Sequence, residues 1–191
     1  MKNILYYQIK EKLLNISEKW DALSIAPDYA ITFAHENINP EPQKGDSPPF
    51  SVEYRLAAAG EPFNAVLRSG KNLTHDELAI LSTIKKQQTQ KDMVVYRGIS
   101  KELFKDMRRN GKEKNCDLLD EGVLFCSLVK GHEYTSQIYL RLYVPKGSSM
   151  IYLGNVNLNQ HLYEVVLPEK LPLKIESIDK KYVNCIVKNT F

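Results

Sequence analysis

Helical periodicity fills the first half of the chain and stops near residue 90, where short β-forming runs replace it. Helices first and strands afterwards are the signature of an α+β domain, since a parallel α/β sheet would alternate the two. Between residues 4 and 23, apolar residues recur at Leu5, Ile9, Leu13, Ile16, Trp20 and Leu23, steps of three and four that trace one helix face. Residues 39–50 contain four prolines and a glycine and read as a loop or linker. Residues 51–59 are predicted as a short helix, and Pro62 as the first residue of another that stops at Ser69-Gly70. Thr74-His75-Asp76-Glu77 is a capping box, with Leu78, Leu81 and Ile84 as the stripe behind it. Strands are predicted at 93–96, 123–128, 138–144, 150–153, 163–167, 173–178 and 182–187, with a turn at Pro145-Lys146-Gly147.

Composition bounds the function class. The chain has 191 residues, 43% hydrophobic and 26% charged, enough for one ordinary core without metal or disulfide staples. A net charge of +3 is too small for a dedicated nucleic-acid or membrane binder. The basic stretch 105–114 is interrupted by acids and reads as a solvated helix end or loop. Cys116, Cys126 and Cys185 are odd in number and match no zinc or C-x-x-C spacing, which favours a reducing compartment and no metal. No apolar run approaches the roughly 20 residues of a membrane span, and the start lacks the apolar core of a signal peptide. A cytoplasmic protein, or one delivered into a target cell by a non-classical route, is expected.

Three segments carry polar groups where strands are otherwise apolar. Arg97, after an apolar run and before Gly98, presents a fixed guanidinium suited to bidentate contact with a pyrophosphate or carboxylate. Taken alone it is better explained as an edge-strand arginine reaching solvent. Ser127 sits in the run 122–128, where a serine usually bonds neighbouring backbone. Glu164 opens a strongly β-forming run, so its carboxylate must be paired, face a cleft or face water.

Taken together and in this order, the segments resemble the mono-ADP-ribosyltransferase family, in its arginine–serine–glutamate branch of bacterial toxins and ectoenzymes. Tyr96-Arg97-Gly98 matches the first motif, Phe125-Cys126-Ser127 falls on its Ser-Thr-Ser triplet, and Glu164 falls on the catalytic glutamate, followed by Val165-Val166-Leu167-Pro168. Phe63-Asn64-Ala65-Val66-Leu67-Arg68 matches the helix that precedes the first motif, and Leu140 to Gly147 with Tyr152-Leu153 matches the intervening strands. The similarity covers roughly residues 51–178. It implies one domain over 1–191: a helical leader and proline-rich loop (1–50), helices (51–90), and a mainly antiparallel two-sheet β core (91–191) holding an NAD cleft.

The resemblance also implies a chemistry: cleavage of the nicotinamide–ribose bond of NAD, with NAD as substrate and no metal, and transfer of ADP-ribose to an acceptor protein. Glu164 would stabilise the ribosyl cation, Ser127 would hold Glu164, and Arg97 would grip the phosphates. Gly98, Tyr96, Asn64, Arg68 and Tyr134 would complete the NAD site, and Gln160 and Leu162 would belong to the acceptor loop. Two positions depart from the pattern: Phe125 replaces a serine, and Leu162 stands where the family has glutamate or glutamine. Leucine can neither accept a proton nor orient an amide. Hydrolysis of NAD is therefore an alternative outcome. A different class of function is the same fold without catalysis, docking a delivery or partner protein; an unrelated nucleic-acid binder using 105–114 is the third.

Overall fold

The computed structural model describes residues 3–38, 52–153 and 160–188, so the proline-rich stretch 39–50 lies outside it. Five helices precede the sheet: α1 (Ile4–Leu14), α2 (Ile16–Asp21), α3 (Ala30–Asn37), α4 (Val52–Ser69) and α5 (His75–Lys86). The periodic stretch 4–23 is two helices because Asn15 adopts the left-handed conformation, φ 49°, and its N–H closes α1 on Glu11. No periodic signal announces α3, which buries Ala30, Phe33 and Ala34. In α4 the two expected helices meet at a kink, where Gly60 takes φ 44° and ψ −130° just before Pro62. The α5 capping box forms as read, with Glu77 N–H on the Thr74 hydroxyl and Thr74 N–H on the Glu77 carboxylate. Leu78 is exposed instead of buried, and Ile80 takes its place beside Leu81 and Ile84.

All seven expected strands form. The strands are β1 (Met93–Ile99), β2 (Leu118–Leu119), β3 (Leu124–Ser127), β4 (Ile138–Val144), β5 (Ile151–Tyr152), β6 (Glu164–Leu167), β7 (Pro172–Ile178) and β8 (Tyr182–Val187), with α6 (Lys101–Glu113) between β1 and β2. The basic stretch lies on α6, whose Met107 and Gly111 are buried while Lys105, Arg109 and Lys112 face solvent.

The strand order is β2-β7-β8-β4-β1-β3-β6-β5, antiparallel throughout except for β4–β8. The two sheets expected from the sequence are thus halves of one hydrogen-bonded array, joined where β1 pairs with β3 at Tyr96 and Ser127. One core lies between the larger half and α1, α3 and α6, around Met93, Val95, Leu140, Leu142 and Met107. A second packs β3, β5 and β6 against α4 and α5, through Phe63, Ile84, Val123 and Val166.

Helix α1 departs most from its sequence pattern. Tyr7 alone is buried, and the stripe Leu5, Ile9 and Leu13 is 59%, 48% and 77% exposed. The polar side of the helix faces β7 and β8: Lys10 pairs with Glu176, and Glu11 accepts from Ser177 and Asn184. These bonds fix the rotation of α1 about its axis. Leu13→Lys should therefore change unfolding free energy by less than about 0.5 kcal/mol. Tyr7→Ala should cost about 3 kcal/mol by loss of a buried aromatic ring, both read from urea unfolding.

Candidate active site

The junction between the sheet halves brings the three motifs together. Register pairs Tyr96 with Ser127 across β1–β3 and Ser127 with Glu164 across β3–β6. Arg97, Ser127 and Glu164 line one small crevice, together with Phe125, Leu162 and Tyr134. The crevice opens into a cleft of about 460 Å³ that shares Arg97, Gly98, Phe125, Tyr134 and Glu164 and extends to Gly60, Glu61 and Arg68 on α4. A volume of this size suits a small-molecule ligand.

Arg97 is not an edge-strand arginine. β1 lies between β4 and β3, and Arg97 is only 5% exposed. A buried guanidinium needs a partner. Its Nη2 donates to Asp120 Oδ2 at 3.0 Å and its Nη1 to the Val123 carbonyl at 3.3 Å. Asp120, 1% exposed, also receives Arg68 Nε and Nη2, both at 2.9 Å, and the Gly122 N–H at 2.9 Å. Two arginines thus share one buried carboxylate, and Arg68 is balanced a second time at the cleft rim by Glu61.

The other candidates divide between wall and scaffold. Asn64 is fully buried, and its amide spans Val123, donating to its carbonyl at 3.2 Å and accepting its N–H at 2.8 Å. This places Asn64 behind the cleft wall, as a clamp on the chain that leads into β3. Tyr96 is 0% exposed, packs its ring 5.6 Å from Tyr182 and shares a hydrogen bond with Ser24, so its side chain belongs to the core. Ser127 Oγ donates to the Val129 carbonyl at 2.9 Å and accepts the Val129 N–H at 3.1 Å. That is the backbone bonding usual for a strand serine, made in a residue whose register partner is Glu164. Tyr134 is 55% exposed, and its phenol is held above its ordinary value by burial and by the charge on Glu164. Beneath the crevice the Cys126 thiol is pushed up to about 12 by burial, so it stays protonated and unreactive. All three cysteines are free.

Glu164, 9% exposed, is the first residue of β6 and follows a 3₁₀ turn, Gln160–Leu162. Tyr163 between them takes φ 47°, a conformation rare for a bulky residue. Its carbonyl accepts the Leu128 N–H at 3.0 Å, which fixes the turn against β3. Leu162 is buried in the crevice wall, while the Gln160 side chain and residues 154–159 lie outside the described residues.

A family model for ADP-ribosyltransferase exoenzymes matches residues 53–189. The chain belongs to the ADP-ribosyltransferase exoenzyme family. The match spans α4, α5 and every strand of the sheet. Solved members of similar fold include C3stau2 from S. aureus with NAD, 20% identical, covering 93% of this chain and 96% of that one at a TM-score of 0.59. Plx2a, a toxin from Paenibacillus larvae, is 19% identical, with 96% and 98% covered and a TM-score of 0.57. BECa of a binary enterotoxin of C. perfringens, solved with NADH, is 15% identical, with 84% and 48% covered and a TM-score of 0.62. Identities this low establish the shared fold. No curated protein matches by sequence.

Sequence reasoning missed Asp120. The available signal was an acidic pair, Asp120-Glu121, immediately before Gly122, together with the rule that a buried arginine needs a counter-charge. It also missed how tightly the loop carrying Tyr134 sits on β1. A Cβ on Gly98 would lie 2.0 Å from the Tyr134 carbonyl oxygen and 3.0 Å from Ser136 Cβ. Gly98→Ala should therefore lift that loop, lowering stability by about 1–3 kcal/mol. Amide exchange over residues 131–136 should accelerate, and unchanged exchange would show that Gly98 does not seat the loop.

Proposed function

We propose that the protein is an NAD-dependent mono-ADP-ribosyltransferase that releases nicotinamide and transfers ADP-ribose to an acceptor. The observation that carries this reading is the meeting of Arg97, Ser127 and Glu164 in one crevice at the sheet junction. It gains support from the family match over residues 53–189, and from the solved relative that holds NAD.

Each residue then has a physical task. Breaking the nicotinamide–ribose bond develops oxocarbenium character, and nicotinamide leaves neutral without needing a proton. A carboxylate fixed against the ribose can supply the main electrostatic stabilisation. Glu164 takes this role. Its position is set from both sides, by the Tyr163 turn before it and by the β3 and β5 backbone beside it. Ser127 lies opposite Glu164 across β3–β6, where the backbone pairing of the two strands keeps Glu164 in register. The Arg97–Asp120–Arg68 group faces the diphosphate: Asp120 fixes both guanidinium planes, and a phosphate that displaces the exposed Glu61 from Arg68 gains that positive charge together with the unused N–H donors. Tyr134 covers the nicotinamide end, and Gly98 lets its loop approach.

The acceptor is expected to be a protein; one relative, exoenzyme S of Pseudomonas aeruginosa, was solved in complex with human 14-3-3 protein beta. Among the described residues no helix is long and apolar enough to cross a membrane, and no group of His, Cys, Asp and Glu could hold a metal ion.

Glu164→Gln removes the charge and keeps the shape. Nicotinamide release from NAD should fall by about 100-fold or more, the usual loss for a preorganised electrostatic group. The thermal transition and NAD affinity should change little. Wild-type protein that binds NAD yet releases no nicotinamide would leave a binding module without catalysis, and the transferase reading would fail.

A further inference from the structure

The crevice presents a chemical gap. A transferase must take a proton from its acceptor as the new bond forms, and Leu162 has no atom that can receive one. Among the described residues lining the crevice, the other proton acceptors are already committed. Glu133 accepts the Gly131 N–H at 2.7 Å, the Tyr182 hydroxyl at 2.8 Å and Lys181 Nζ at 3.1 Å. These bonds outweigh its burial and hold its carboxyl below the usual range, which makes it a poor base. Ser127 is bonded both ways to Val129, the Cys126 thiol stays protonated, and the Tyr134 phenol, held above its ordinary value by burial and by Glu164, keeps its own proton. Glu164 faces the ribose in the reading above.

One residue remains. His132 lines the same crevice as Glu164 and Leu162. Its Nδ1 lies 2.6 Å from the His161 carbonyl oxygen. A carbonyl cannot donate, so Nδ1 carries the proton, and in the neutral ring Nε2 is left as the acceptor. The ring is further fixed edge-to-face against Tyr163, with centroids 5.2 Å apart. A fixed tautomer with Nε2 as its acceptor is the arrangement of a general base.

We propose that His132 is the acceptor-activating base, and that the site takes a hydroxyl nucleophile in place of a guanidinium or a carboxamide. This rests on the transferase reading. The step balances: the acceptor oxygen bonds to the ribosyl carbon as nicotinamide leaves with the electron pair of the broken bond, and the hydroxyl proton passes to Nε2. Imidazole is suited to hydroxyl groups, as in serine–histidine pairs. A guanidinium, with a pKa above 12, demands more than imidazole provides, and Leu162 with Phe125 offers it no charged or polar partner.

The test uses nucleophiles of known proton demand. Purified protein is incubated with NAD in water, in dilute methanol and with azide, and the ribosyl products are separated. Azide attacks without losing a proton, whereas methanol and water must be deprotonated. His132→Asn keeps an amide donor where Nδ1 stood, so it can still bond the His161 carbonyl, and it removes Nε2. The ratio of azide product to methanol product should rise about 100-fold in this variant, the scale of one general base. An unchanged ratio overturns the inference, whether because methanolysis is intact or because both products fall together, as they would if His132 only supported the turn. Failure of the transferase reading is distinct: wild type would release no nicotinamide with any nucleophile, and the inference would fall with it.

Discussion

Asp120 is the group on which the arrangement depends. Its carboxylate is 1% exposed and ties three parts of the chain together: Arg68 on α4, Arg97 on β1 and the Gly122 turn that leads into β3. An ion group this deep is costly to desolvate and persists because its hydrogen bonds are satisfied, bidentate on the Arg68 side. Removing the carboxylate would strand two guanidinium groups beside each other, the situation that makes a broken buried pair cost several kcal/mol. Asn64 reinforces the same point by clamping both backbone groups of Val123. Gly122 permits this because a Cβ there would lie 2.5 Å from Asn64 Oδ1.

From this anchor the crevice follows by register. Once the Gly122 turn is fixed, β3 meets β1 at Ser127 and Tyr96, and β6 meets β3 at Glu164 and Ser127. The left-handed Tyr163 then aims the chain from the Leu162 turn into β6. The loop after β3 closes over the result, tethered through Glu133 to Tyr182 and Lys181 and resting on Gly98. Arg97, Arg68 and Glu133 are thus set by contacts made elsewhere in the fold. That is the preorganisation a charge-stabilising site requires.

Local signals in the sequence were sufficient where the causes are local. The α5 capping box, the Pro62 helix start and the β-forming runs all sit where their residues predict, because caps, fixed φ angles and strand preference act within a few positions. What depends on distant partners was not legible. The apolar stripe of α1 faces solvent because Lys10 and Glu11 are bonded to residues more than 160 positions away. Leu78 is exposed although its spacing fits the buried stripe of α5. For the site, the order of motifs announced which residues would meet, but not what each would bond: Arg97 to Asp120, Ser127 to Val129, Tyr96 to Ser24. Two strand halves joined at one residue pair also read as two sheets when only the runs are visible.

The most direct test of the account is a crystal structure of the protein with NAD bound. The diphosphate should lie against the Arg97 and Arg68 guanidinium groups, with Asp120 still holding both. The nicotinamide ribose should lie against Glu164, in the cleft that Tyr134 lines. NAD bound elsewhere on the surface, or seated with its ribose away from Glu164, would contradict it.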